Sequence, residues 1–115
     1  MERIEAVRRA VGPEILLRVD ANQGWTPKEA IRTIRYMEDE GLDIELVEQP
    51  VASHDIEGLK RVTDAVETAI LADESVYSPR DALRLISLRE DKLLIVNNIT
   101  AIKVVYILLI SISIF

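Results

Sequence analysis

Residues 1–92 repeat one pattern three times: a short apolar run ending at an acidic residue, then a loop, then an amphipathic helical segment. The apolar runs cover residues 15–19, 44–47 and 69–72, and the acids after them are Asp20, Glu48 and Asp73. Short apolar strands that alternate with amphipathic helices are typical of parallel βα units joined by right-handed crossovers. The pattern therefore predicts an α/β protein.

Helix boundaries are marked most clearly in the second segment. Thr26 suits an N-cap, Pro27 suits the first helical position and Glu29 completes a capping box. Gly41 is a natural end for this helix. Trp25, just before the helix, is expected to pack its loop against the sheet. Further apolar residues at helical spacing predict helices over residues 4–11 and 56–66. The run Ser-Pro-Arg-Asp at 78–81 predicts the start of another helix, with Leu83, Ile86 and Leu88 on its inner side.

The strand-ending acids lie 28 and 25 residues apart, a spacing that suits successive βα units. Solenoids also repeat on this scale, but the Leu-x-x-Leu-x-Leu and Asn pattern of leucine-rich repeats is absent. A (β/α)8 barrel fits better, and such a barrel takes roughly 250 residues. Three clear units in 115 residues therefore predict a partial barrel.

In a barrel, the carboxyl ends of parallel strands surround one mouth, where active sites lie. Asp20, Glu48 and Asp73 would converge there from three adjacent strands. Carboxylates packed together repel each other, and a divalent cation relieves that repulsion. Oxygen ligands without His or Cys suit Mg²⁺ or Mn²⁺. In the alternative interpretation, each acid only caps a loop or the next helix.

Three motifs carry a resemblance to a known family. They are Leu-Arg-Val-Asp-Ala-Asn-Gln-Gly-Trp at 17–25, Glu-Leu-Val-Glu-Gln-Pro at 45–50 and Leu-Ala-Asp-Glu-Ser at 71–75. Together they resemble the enolase superfamily, within it the mandelate racemase/muconate lactonizing enzyme branch, and most nearly its dipeptide (L-Ala-D/L-Glu) epimerases. The resemblance covers about residues 1–89.

The resemblance implies a site and a chemistry. Asp20, Glu48 and Asp73 match the family's Mg²⁺ ligands at the ends of the third, fourth and fifth barrel strands, and Asn22 and Glu74 match polar positions beside them. Such enzymes remove the proton α to a carboxylate and stabilise the resulting enediolate. The implied substrate is a dipeptide or another small carboxylate; muconate cycloisomerases and o-succinylbenzoate synthases are the alternatives within the branch.

The family's catalytic lysines have no counterpart in this sequence. A Lys-x-Lys on the second strand would precede Met1, and the sixth-strand lysine would fall within 95–99, which holds none. Lys92 and Lys103 lie nearby, but neither matches a strand-six motif. We identify no catalytic residue, and we expect this chain alone to have little or no activity.

Composition excludes several other functions. Twenty acids against fourteen bases give a net charge of −6, which argues against a nucleic-acid binder. The lack of cysteine excludes thiolate metal sites, and Met1 leads into a charged run rather than a signal peptide, so a cytoplasmic location is expected. His54 and the charged groups Arg8–Arg9 and Glu38–Glu40 are expected to be solvated.

A sharp change in composition divides residues 1–92, the predicted partial barrel, from a hydrophobic tail at 93–115. The tail has no acid, one base and 17 apolar residues of 23. It could supply further buried strands, or a membrane anchor, although polar residues interrupt a span of the necessary length. A reading frame broken near 89–92 is the third interpretation, favoured by the abrupt loss of charge.

A non-enzymatic hypothesis also remains open. Three βα units leave sheet edges open, and an open edge can pair with another copy of the chain. In this hypothesis the chain is a non-catalytic half-barrel that self-assembles or is tethered to a membrane by its tail.

Overall fold

The computed structural model describes residues 2–72, 93–95 and 110–113. Helices and strands alternate along most of this length, which confirms the predicted α/β class. In chain order the elements are α1 (Glu2–Val11), β1 (Leu17–Asp20), α2 (Pro27–Asp39), β2 (Ile44–Glu48), α3 (Ile56–Ala65), β3 (Ala69–Ala72), β4 (Leu93–Ile95) and β5 (Ile110–Ser113).

The five strands form one parallel sheet in the order β4-β3-β2-β1-β5. The first three strands are neighbours in chain order, as expected for successive βα units. Their carboxyl ends therefore lie along one edge of the sheet, where the strand-ending acids were predicted to meet.

Two strands of the hydrophobic tail join this sheet at opposite edges. β4 pairs with β3, the position expected for the next strand in sequence. β5 pairs with β1 instead of β4, with Leu17 opposite Ile110 and Asp20 opposite Ser113. Within the described ranges, no helix has the length and apolar character needed to cross a membrane.

The hydrophobic core lies between one face of the sheet and the helices. Val19, Val47 and Ile70 occupy paired positions on β1, β2 and β3 and are fully buried. The helices cover them with a stripe of buried apolar side chains: Ile4, Ala30, Ile34, Met37, Leu59 and Val62. The stripe on α2 follows the helical spacing in the sequence, so packing and periodicity agree.

The start of α2 confirms the predicted capping box. The Thr26 hydroxyl accepts the Glu29 amide at 3.2 Å, and the Glu29 carboxylate accepts the Thr26 amide at 3.2 Å. Gly41 follows the helix with a φ of +65°, a conformation that glycine adopts without strain.

The first strand begins two residues later than its apolar run predicts. Ile15 and Leu16 lie before β1 and are 42% and 47% exposed. The carbonyl of Ile15 accepts a hydrogen bond from the Arg8 guanidinium at 2.7 Å, so this segment is tied to α1.

The expectation that Arg8 is a solvated surface charge is wrong. Its guanidinium donates four hydrogen bonds of 2.7–2.9 Å to main-chain carbonyls in two connecting segments. The acceptors are Gly12 and Ile15, which follow α1, and Leu42 and Asp43, which precede β2. Arg8 therefore joins the amino-terminal ends of two adjacent strands to the first helix.

Glu38 is likewise an anchor, although its acidic run was expected to be a solvated face. Its Oε2 accepts from the amides of Glu67 and Thr68 at 2.8 and 2.6 Å, and from the Thr68 hydroxyl at 2.7 Å. These bonds connect the end of α2 to the loop between α3 and β3. Asp39 and Glu40 are exposed, as predicted.

Tyr36 gives the fold an alkaline pH dependence. Its hydroxyl donates to Glu5 at 2.6 Å, and this hydrogen bond raises the pKa of Tyr36 to about 12 from 10.0. Because the folded state holds this proton more tightly than the unfolded state, the contact stabilises the fold below pH 10 and its contribution is lost as the pH rises towards 12. Urea unfolding from pH 9 to pH 11 should show a steeper loss of stability in the wild type than in Tyr36→Phe. Equal slopes would contradict this role.

Candidate metal site

Asp20 and Glu48 lie side by side at the carboxyl ends of two adjacent parallel strands. They are the last residues of β1 and β2 and are paired in the sheet register. Because neighbouring strands are about 4.8 Å apart, the main-chain atoms that carry the two carboxylate side chains are close neighbours. Both residues are half-buried.

The two acids also share a face of the sheet. Val19 and Val47, one residue earlier on each strand, point into the core beneath the helices. Because side chains alternate along a strand, Asp20 and Glu48 point to the opposite face. The carboxylates are therefore on the side of the sheet away from the three helices.

The loop after β1 makes a tight turn that orients Asp20. Asn22 and Gln23 have φ angles of +49° and +63°, and the Gly24 amide closes the turn on the Ala21 carbonyl at 2.8 Å. The Asn22 amide donates to Oδ1 of Asp20 at 2.9 Å. Two consecutive non-glycine residues with positive φ store backbone strain, which is common where a loop serves a site.

Backbone hydrogen bonds continue past the strand ends and join the loops that follow β1 and β2. The amides of Ala21, Gln23 and Trp25 donate to the carbonyls of Glu48, Gln49 and Pro50 at 3.1, 2.9 and 3.1 Å. The side-chain oxygen of Gln23 also accepts the Ser53 amide at 2.8 Å. The two loops thus form one unit around the acids.

Gln49 is a structural residue of this site that the sequence analysis missed. It is fully buried, has a φ of +40°, and donates its side-chain amide to the Val51 carbonyl at 3.0 Å. Its main-chain amide donates to Leu71 on β3 at 2.8 Å. The sequence does contain one indication of this role, because Gln49 stands between the strand-ending Glu48 and Pro50. At such a position a buried side-chain amide can stabilise the turn of the backbone out of the strand.

The structure brings together part of the predicted site. Asp73 and Glu74 lie outside the described residues, and in the described part of the chain no group of three His, Cys, Asp or Glu could hold a metal ion. Asn22 is exposed and contacts Asp20 through its main-chain amide. Trp25 packs against the core and His54 is exposed, as predicted.

The donor set fits a hard divalent cation. Two half-buried carboxylates on one face provide oxygen ligands, and Mg²⁺ commonly binds one or two protein carboxylates while keeping several waters. No lysine occurs on β4, which reads Leu-Leu-Ile. The oxygen donors of Asp20 and Glu48 therefore suit a divalent cation, and no lysine lies on the strands described.

A family model for enolase C-terminal domain-like proteins matches residues 1–94. The chain belongs to this enolase family. The match spans α1 through β3 and reaches the first two residues of β4, so it includes the strands that carry Asp20 and Glu48.

Relatives of this enolase-family chain include dipeptide epimerases. The L-Ala-D/L-Glu epimerase of Clostridium acetobutylicum is 56% identical over 89 residues, which are 77% of this chain and 25% of that protein. The substrate-liganded structure of the L-Ala-D/L-Glu epimerase from Bacillus subtilis has a TM-score of 0.73 and 59% identity, covering 74% of this chain and 24% of that one.

A dipeptide epimerase from Enterococcus faecalis, crystallised with Mg and L-Leu-L-Tyr, has a TM-score of 0.70 and 54% identity, covering 74% of this chain and 23% of that one. Muconate cycloisomerases also match, at lower identity, such as 38% over 85 residues. The chain spans about a quarter of the length of the epimerases that it matches.

Proposed function

We propose that this chain is the metal-binding part of a Mg²⁺-dependent dipeptide epimerase. In this proposal residues 1–92 supply about the third to fifth strands of a (β/α)8 barrel with their helices. One observation carries the proposal: Asp20 and Glu48 lie level on adjacent strands, on the same face and at the carboxyl ends. Asp73, one residue past β3, would be the third ligand.

The site residues have distinct roles in the proposed chemistry. Asp20 and Glu48 would hold Mg²⁺, or Mn²⁺ in its place, and the ion supplies positive charge that stabilises negative charge developing on a substrate carboxylate. The Asn22 amide keeps the Asp20 carboxylate in one orientation. Glu74, next to Asp73, would lie beside the ion.

The substrate assignment rests on similarity. Relatives at 56% identity are L-Ala-D/L-Glu epimerases, and an epimerase at 54% identity was crystallised with a dipeptide. A dipeptide with a free carboxylate is therefore the proposed ligand, and the cycloisomerase reaction is the less favoured alternative because those relatives are less similar.

Metal binding tests the proposal directly. We expect calorimetry to show saturable Mn²⁺ and Mg²⁺ binding by the whole chain, and no measurable binding by an Asp20→Asn/Glu48→Gln double variant, because the ion loses both charged ligands. Asp64→Asn is the matched control, since Asp64 is an exposed carboxylate on α3. Absence of binding by the wild type, or equal binding by the double variant, would contradict the proposal.

The chemical step has a separate readout. In deuterated water, a complete epimerase would introduce deuterium at the α-carbon of the glutamate of L-Ala-L-Glu, which is the residue with the free α-carboxylate. We expect this chain alone to introduce little or none, because it has no identified lysine base. Exchange that disappears in Asp20→Asn would show instead that the chain contains its own base.

A further inference from the structure

The strand register between β1 and β2 contains one irregularity. Leu17 pairs with Ile44, but the next residue, Arg18, pairs with Leu46, and Asp20 then pairs with Glu48. Between these two pairs, β2 has one residue more than β1. This residue, Glu45, pairs with no residue of β1, and we call the irregularity the bulge. Such bulges re-aim side chains and are frequent beside active sites.

This extra residue decides where Glu48 points. If the pairing of Leu17 with Ile44 continued without a bulge, Asp20 would lie opposite Val47. Glu48 would then point to the other face of the sheet, into the helix-covered core. With the bulge, Ile44 and Val47 both pack towards the helices, and Glu48 joins Asp20 on the opposite face.

An ion pair holds the bulged residue. Nε of Arg18 donates to Oε2 of Glu45 at 2.6 Å. The Arg18 side chain is only 11% exposed and that of Glu45 is 33% exposed, so solvent screens this pair less than a surface pair. Arg18 lies two residues before Asp20 on the same strand, and Glu45 lies three residues before Glu48.

We propose that Glu45 is a positioning residue for the metal site: its ion pair with Arg18 holds the bulge that sets Glu48 level with Asp20. Ile44 and Val47 can both pack towards the helices only if β2 has one extra residue between them. The ion pair with Arg18 keeps that residue, Glu45, in one conformation. The consequence for metal binding rests on the proposed function, whereas the consequence for the register does not.

Amide exchange followed by NMR tests the register without metal. Glu45→Ala should accelerate exchange of the Ala21 and Gln23 amides by about tenfold or more, because these amides bond to the carbonyls of Glu48 and Gln49 beyond the bulge. The Gln49 amide, which donates to Leu71 on β3, should keep its rate. The inference is wrong if Ala21 and Gln23 are unaffected, or if Gln49 accelerates equally.

Two further variants test whether the faster amide exchange comes from loss of the Arg18–Glu45 ion pair or from a general loss of stability. Asp64→Ala removes the exposed ion pair with Lys60 on α3 and should leave both β1 loop amides unchanged. The charge swap Arg18→Glu/Glu45→Arg should return their exchange to within about threefold of the wild type, because the attraction is preserved. An effect of Asp64→Ala as large as that of Glu45→Ala, or no rescue by the swap, overturns the proposal.

Metal affinity distinguishes a residue that positions the ligands from one that only stabilises the fold. Glu45→Ala should weaken Mn²⁺ binding by about tenfold, within the range measured for residues that orient metal ligands, and Asp64→Ala should not. If the wild type binds no metal, the proposed function fails while the exchange data still decide the role of Glu45. If Mn²⁺ binds equally to wild type and Glu45→Ala, the positioning role is wrong and the metal site stands.

Discussion

Replacing Arg8 by methionine is expected to lower the free energy of unfolding by about 3 kcal/mol. Methionine retains an apolar stem but removes the guanidinium, which donates to four main-chain carbonyls. Hydrogen bonds from a charged donor contribute about 1.5–3 kcal/mol each when shielded. Two of these four are exposed, so the total is smaller than a simple sum. Urea unfolding followed by circular dichroism measures the loss.

Arg9→Met is the matched control for this prediction. Arg9 is the next residue on α1, carries the same charge and is exposed. Its replacement should change stability by less than about 0.5 kcal/mol, as is usual for surface positions. Equal losses in the two variants would mean that charge or helix propensity matters here, rather than the contacts that join α1 to the starts of β1 and β2.

Glu38→Ala is expected to destabilise the fold by about 2 kcal/mol, because it leaves two main-chain amides and a hydroxyl without their shared acceptor. The acid lies in the last turn of α2, where the helix dipole disfavours negative charge, so removing it returns part of the loss. Thermal and urea unfolding of the variant measure the net effect.

Asp39→Ala controls for the charge at the end of α2. Asp39 is adjacent, exposed and equally placed relative to the helix dipole. Its removal should leave stability unchanged or slightly raised. If Asp39→Ala destabilises as much as Glu38→Ala, the bonds to Glu67 and Thr68 do not carry the effect.

Only part of the candidate site could be predicted from sequence. The positions of Asp20 and Glu48 at strand ends follow from apolar runs that stop at a charge, and parallel βα units bring such ends to one edge. The support around them could not be read this way. Gln49 looks like a loop residue beside Pro50, yet it is fully buried with its side-chain amide bonded to Val51.

The tail illustrates a second limit. Further strands were one of three interpretations of this apolar, β-branched run. β4 and β5 are strands, but the run contains no information on which edge each will join. Pairing of β5 with β1 depends on which sheet edge is available to it, a property of the assembled sheet. Strand order is therefore decided only when the sheet forms.

The sequence by itself determined the α/β class, the capping box at Thr26 and the acids at two strand ends, because these depend on periodicity and on neighbours within a few residues. Only the tertiary structure decided which charged side chains form hydrogen bonds to distant parts of the main chain, and in which register the strands pair. Arg8 bonds to carbonyls up to 35 residues away, and Glu38 to donors 29 and 30 residues away. The bulge at Glu45 likewise depends on packing across two strands, which local patterns do not encode.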